Sequence, residues 1–169
     1  SHLGPTGWSV YLEIFGGGYG ASSTTDGCDA VDGPLSNCSN TPIEALDQDF
    51  NHFRVLEYSL RPGSAGPGMH RGGLGFLRRV QVLKDGVKLA LYSDRFRQRP
   101  EGLFGGESGA SAFCEVRRGN ELIPVESKAE VALRKGDIVT LAVGGGAGYG
   151  DPSRRDRALI DADMADGVL

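Results

Sequence analysis

The chain has 169 residues, 27 of them glycine, and a formal net charge of −4 at pH 7 with a sequence pI near 5.4. That length suits one domain with a sizeable core. The near balance of charge removes any global electrostatic drive towards nucleic acid or an anionic membrane. No apolar run approaches the roughly 18 residues of a membrane-spanning helix.

The glycines are clustered and not periodic, which excludes collagen-like and repeat architectures. Two clusters stand near the ends of the chain, Phe15-Gly16-Gly17-Gly18-Tyr19-Gly20 and Gly144-Gly145-Gly146-Ala147-Gly148-Tyr149-Gly150. Such density implies positive-φ backbone or backbone packed closely against a neighbour, and both clusters are expected to be rigid turns at an interface. The three cysteines, Cys28, Cys38 and Cys114, form no C-x-x-C pair. An odd count without a leader pattern points to reduced thiols and a cytoplasmic location. A metal site from Cys28 and Cys38 is a weaker reading than small buried thiols.

In chain order, Trp8 to Ile14 predicts a strand closed by glycines. Residues 16–42 carry little periodicity and many Gly, Ser, Thr, Asp and Asn, so a long loop is expected, either functional or packed on a partner. Thr41, Pro42 and Glu44 suggest a capping box opening a short helix or turn. Phe53 to Arg61 reads as a second strand ended by Pro62, followed by a glycine-rich loop to Gly75 that contains His70 and Arg71. His70 reads as a surface loop residue in preference to an anion ligand.

Phe76 to Leu83 and Lys88 to Ser93 flank Asp85-Gly86, a strong hairpin signal. Alternation places Arg79 and Gln81 on one face and Val80 and Val82 on the other. Arg95, Arg97 and Arg99 stand two apart, on one side of an extended segment, where their forks suit carboxylates, phosphates or an acidic partner surface. Three strands are expected over 112–117, 122–126 and 137–143. A C-terminal helix is expected over 152–166, capped by Asp151 or Ser153 and stopped by Gly167, with Leu159, Ile160 and Met164 on its apolar face. Arg154, Arg155 and Arg157 would oppose that helix's dipole, so acidic partners outside the helix are expected.

Taken together, the fold class expected is mainly β: antiparallel strands and hairpins in a sandwich or barrel-like arrangement, with long Gly-rich loops and one C-terminal helix, as a single domain over 1–169. A mixed α+β arrangement is the alternative if residues 41–50 and the C-terminal helix pack on one sheet face. The chemical inventory is thin: no H-E-x-x-H, Walker A lysine, G-x-S-x-G or zinc spacing occurs. No helix-forming segment follows Gly16 to Gly20, so that cluster lacks the helix N-terminus of a phosphate loop. A free-standing hydrolase using His70 or a cysteine is the weakest of the readings the inventory leaves.

Several segments nevertheless resemble, in order and along nearly the whole chain, the C-terminal region of the hydantoinase B / 5-oxoprolinase B family. These are Tyr11 to Ala21, Asp26-Gly27 with Asp29-Ala30-Val31, Asn40 to Glu44, Leu60-Arg61-Pro62 with Gly66 and Gly68, Arg71 to Gly75, Asp94-Arg95, Gly102 to Gly106, and Gly144 to Pro152. The resemblance implies a multi-subunit, ATP-dependent machine that opens cyclic amides such as hydantoins and 5-oxoproline, or carboxylates ketones such as acetone and acetophenone. A B-type subunit has several hundred residues, so this chain corresponds to its final third. The resemblance assigns no catalytic residue here, and implies ATP and a divalent metal in the whole complex with none bound by this chain. Implied partners are the other subunits or the rest of the B-type subunit, with neither nucleic acid nor membrane. Arg71, Arg95, Arg97 and Arg99 are the candidate anion-binding residues. The alternative is an independent β-rich binding or regulatory module with an arginine-lined anion site.

Overall fold

The computed structural model describes residues 1–4, 7–33 and 41–168. Among these, strands run over His2–Gly4 (β1), Gly7–Ser9 (β2), Phe53–Leu60 (β3), Phe76–Val82 (β4), Val87–Tyr92 (β5), Phe113–Arg118 (β6), Glu121–Val125 (β7), Lys128–Leu133 (β8) and Ile138–Ala142 (β9). Helices cover Ile43–Asp49 (α1) and Arg157–Ala165 (α2), with a single 3-10 turn at Pro152–Arg154. A five-stranded sheet has the order β3-β4-β9-β6-β7 and a four-stranded sheet the order β2-β1-β5-β8. Every pairing between these strands is antiparallel.

The two sheets stay open and pack face to face as a sandwich. Val80 stands opposite Val55 on β3 and Val139 on β9, and Val139 stands opposite Val116 on β6. That row is apolar because side chains alternate along a strand and this face meets the second sheet. The buried cluster joins Val82, Cys114, Val116, Val125 and Val139 of one sheet to Val87 and Leu133 of the other. Arg79 and Gln81 lie on the opposite face, as the alternation predicts.

Several expectations are corrected. Asp85-Gly86 does not close a hairpin: β4 belongs to the five-stranded sheet and β5 to the four-stranded one. The turn, with Gly86 at φ +76°, carries the chain across the sandwich, and Val82 and Val87 enter the same core from opposite sheets. The capping box at Thr41 does not form. Helix α1 begins one residue later, without a side-chain cap, because the Thr41 N–H instead donates to Glu13 Oε1 at 3.0 Å. The C-terminal helix is broken: Asp151 caps the 3-10 turn, the chain extends at Arg155, and Asp156 caps α2 through the Ala158 N–H. Strand β8 is not among the strands expected from the sequence: Val131 is its one β-branched residue, set among Lys, Ala and Glu, which are depleted in strands.

The segment predicted as a strand from Trp8 pairs only over Gly7–Ser9. Beyond that it pairs with no strand among the described residues and runs extended with an alternating pattern. Tyr11 turns inward against Phe50 and Phe53, with ring centroids 4.9 and 5.5 Å away. Trp8, Val10, Leu12 and Ile14 face outward, Leu12 being 84% exposed.

The two glycine clusters are not turns. They are extended segments stacked edge to edge in a slab beside the sandwich. Gly18 N–H donates to the Gly144 carbonyl, Gly73 N–H to Tyr19, Gly146 N–H to Gly73 and Gly148 N–H to Glu107, at 2.7–3.1 Å. A Cβ added to Gly146 would sit 1.8 Å from the Tyr19 carbonyl oxygen, and one on Gly18 would sit 1.9 Å from that of Gly73. Neither residue has left-handed backbone. Glycine is required here by the approach of neighbouring backbones, the reason it lines the axis of other tightly bundled extended chains.

Candidate functional site

The segment 26–30, the loop around Arg71 and the C-terminal helix meet in one charged cluster at the edge of the slab. Asp26 accepts hydrogen bonds from the Arg71 backbone N–H (2.8 Å) and from both terminal nitrogens of Arg155 (2.8 and 2.7 Å). Asp163 accepts from Arg71 Nε at 3.0 Å and from Arg155 Nη2 at 2.6 Å. Asp29 accepts from Arg71 Nη1 at 2.9 Å and from the Leu74 N–H at 2.7 Å. His70 Nδ1 lies 3.7 Å from Asp26.

Burial by itself would raise the Asp26 pKa. The hydrogen bonds and charge of Arg155 and Arg71 outweigh it and hold the carboxyl below its usual range. Helix α2 therefore docks through a buried aspartate, Asp163, while Leu159 and Met164 of its expected apolar face stay exposed. Among the described residues no group of three or more His, Cys, Asp or Glu side chains is arranged to hold a metal ion. Here the guanidiniums of Arg71 and Arg155 stand between the carboxylates and take up their lone pairs.

A second pair is buried at the junction of slab and sandwich. Glu13 and Arg78, each with 4% side-chain exposure, form an ion pair. Glu13 also accepts from Tyr11 Oη and the Thr41 N–H. Burial first, and then the hydrogen bond to Glu13, push the Tyr11 pKa up to about 12. The Arg78 guanidinium lies 5.0 Å from the Phe15 ring centroid and 4.3 Å from that of Tyr58. Those ring faces compensate, by cation–π attraction, Nε and Nη2 atoms that are buried without hydrogen-bond partners.

The structure separates the four candidate arginines. Arg71 is consumed in the charged cluster, largely out of solvent. Arg97 points outward and pairs with Glu126 at 3.4 Å, both well exposed. Arg95 and Arg99 come together along an open depression shared with Gln98, Glu101 and Ser108. The bend at 96–98 makes this division, where a straight extended segment would keep all three arginines on one side. Arg95 has φ +63°, a left-handed conformation uncommon outside glycine.

The cluster itself went largely unread. Its one sequence signal is the row of arginines at the start of the C-terminal helix, for which outside acids were expected. Arg155 meets that expectation with Asp26, whereas Arg157 pairs within its own helix with Asp161 at 2.9 Å. Asp26 and Asp29 gave no warning, since acidic residues in a Gly/Ser loop read as turn formers. Cys28 is exposed and Cys114 buried, while Cys38 lies outside the described residues.

These features define an open antiparallel β-sandwich fused to a glycine-dense slab and pinned by an Arg–Asp cluster. The family model described as Hydantoinase B/oxoprolinase matches residues 2–152, so the chain belongs to the hydantoinase B/oxoprolinase family. An uncharacterized protein of Methanocaldococcus jannaschii is 40% identical over 97% of this chain and 29% of its own length. The acetophenone carboxylase delta subunit of Aromatoleum aromaticum is 28% identical over 90% of this chain and 27% of its own. The crystal structure of ATP-dependent caprolactamase from Pseudomonas jessenii superposes with a TM-score of 0.78 and 27% identity, covering 90% of this chain and 27% of that one. The chain thus spans under a third of the length of each of these relatives, matching in them a region of its own size.

Proposed function

We propose that this chain is the C-terminal β-structured part of a hydantoinase B-type subunit. In that role it serves assembly and completion of an ATP-dependent enzyme that opens cyclic amides or carboxylates ketones, and it is inactive alone. The similarity to an ATP-dependent caprolactamase and to an acetophenone carboxylase subunit supports both chemistries, and the residues on this chain favour neither. One observation carries the reading. Trp8, Val10, Leu12 and Ile14 form a continuous exposed apolar row on a segment whose other face is anchored by Tyr11 and Glu13. Such a row on an anchored backbone is the expected form of an interface that another part of the assembly covers.

The test is co-expression with the remaining B-type region and an A-type subunit, followed by size exclusion with light scattering. The wild-type chain is expected in a particle several times its own 17.9 kDa, with ATP-dependent turnover of a hydantoin or 5-oxoproline only there. Leu12→Asp is expected to leave the melting temperature of the isolated chain unchanged and to remove it from the particle. Turnover by the isolated chain, or full incorporation of the Leu12→Asp variant, would refute the proposal.

A further inference from the structure

We infer that the depression between Arg95 and Arg99 is a binding site for a small oxyanion, a carboxylate or phosphate group. Both arginines line it together with Gln98, Ser108 and Glu101. Among the described residues neither guanidinium has an ion pair or side-chain hydrogen bond, in contrast to Arg71, Arg97, Arg118 and Arg155. Two arginines lining one concavity can offer planar forks to the lone pairs of an oxyanion, and the Gln98 amide and Ser108 hydroxyl add neutral donors. Glu101 is the single carboxylate on the rim, so the lining keeps a net positive charge.

The backbone adds an independent observation. Arg95 is held at φ +63°, a conformation that glycine would take without strain. Its carbonyl is tied to the Ala112 N–H at 2.9 Å, which anchors the backbone there, yet among the described residues that side chain has no hydrogen-bond or ion-pair partner. An unfavourable residue at a fixed position, presenting a free charge to a concave surface, is the arrangement expected of a ligand contact and not of a packing contact. This inference does not depend on the assembly reading, because it concerns the isolated chain.

The experiment is a titration of the purified chain with inorganic phosphate and, separately, with succinate, at ionic strength held constant with sodium chloride. Binding is read by backbone amide NMR shifts and by calorimetry. Saturable binding is expected, with shifts confined to residues around 95–108. Arg99→Gln should weaken it about tenfold, the loss of one charge-assisted hydrogen bond. Glu101→Gln should tighten it severalfold by removing the repelling charge. Arg97→Gln should leave it unchanged. Arg95→Gly should abolish it while melting no lower than wild type, since the backbone strain is relieved.

Preference for phosphate or for succinate identifies the source of the oxyanion, and either supports the site. Equal shifts with chloride alone, unaltered binding in Arg95→Gly and Arg99→Gln, or a lower melting temperature for Arg95→Gly would overturn it. Absence of binding to the free chain would also overturn it, leaving an acidic side chain of a partner as occupant. None of these outcomes bears on whether Leu12→Asp blocks incorporation into the larger particle.

Discussion

Arg155 and Asp26 stand 129 positions apart and meet through two hydrogen bonds of 2.8 and 2.7 Å. The pair ties the extended residue just before α2 to the loop following the first glycine cluster. Asp163, from α2 itself, completes the tie by accepting from Arg155 at 2.6 Å. Arg155→Ala would strand two largely buried carboxylates without their shared cation. A loss of roughly 2–3 kcal/mol is expected in urea unfolding, in the range for hydrogen bonds to charged groups. Arg155→Lys should recover only part of it, because an ammonium cannot reproduce the bidentate fork. Early proteolytic cleavage before α2 in the alanine variant should accompany the loss. Equal stability of Arg155→Ala and wild type would show that the helix docks by other means.

Acid should unfold the protein through two aspartates in particular. Arg118 holds the Asp137 carboxyl below the usual aspartate range by hydrogen bonding, against the opposing effect of burial. Asp26 is lowered as well, by Arg155 and Arg71 acting against burial. A carboxylate whose folded pKa is depressed contributes stability that is fully present above its unfolded value and is lost as pH falls through the folded one. Urea midpoints should therefore be insensitive to these groups from pH 8 to 5 and fall below about pH 4. Asp137→Asn should be less stable at pH 7 and show a shallower acid decline; an identical decline would exclude Asp137 as a contributor.

Gly146→Ala sets a Cβ at 1.8 Å from a carbonyl oxygen of Tyr19, a backbone atom that no side-chain rotation can move aside. The expected cost is about 3 kcal/mol or more, the upper range for overpacking. Gly63→Ala is the control: φ is +70° there and space is open, so only the left-handed penalty of about 1 kcal/mol applies. Thermal melts of the two variants should differ by many degrees. Similar melting temperatures would mean that the slab is looser than its contacts indicate.

The two described cysteines should differ sharply in reactivity. Burial, with a smaller contribution from Glu115, pushes the Cys114 thiol up to about 12, whereas Cys28 is exposed. In a Cys38→Ser background at pH 8, a disulfide reagent should label Cys28 within minutes and Cys114 only as the protein unfolds. Rapid labelling of Cys114 in native protein would place it outside the core.

Local pattern made most of the sandwich legible. The strands at Phe53–Leu60 and Phe76–Val82 show β-rich runs bounded by glycine and proline, and Val80 and Arg79 take the faces that alternation assigns. The Asp85-Gly86 signal is informative about the turn and silent about its partners. A tight reversal is compatible with a hairpin or with a crossing between sheets, and the shared burial of Val82 and Val87 selects the crossing. At Thr41 a local cap competes with a distant carboxylate, Glu13, and the distant group prevails because it is buried and needs donors.

The candidate site divides the same way. Residue type made the arginines visible as anion binders, but their free or occupied state depends on contacts between positions far apart in the chain. Arg71 is filled by Asp29 and Asp163, and Arg97 by Glu126, while Arg95 and Arg99, beyond the bend, have no ion-pair partner among the described residues. By itself, then, the sequence determined the mainly β fold, most strand positions, the density of glycine and the family resemblance, all of which are written in local composition and order. Only the tertiary structure decided that the glycines bundle extended chains in place of turning them, that α2 docks through Asp163, and which arginines remain free. Steric approach and charge pairing act through space between segments, and no local stretch of sequence records which segment will arrive.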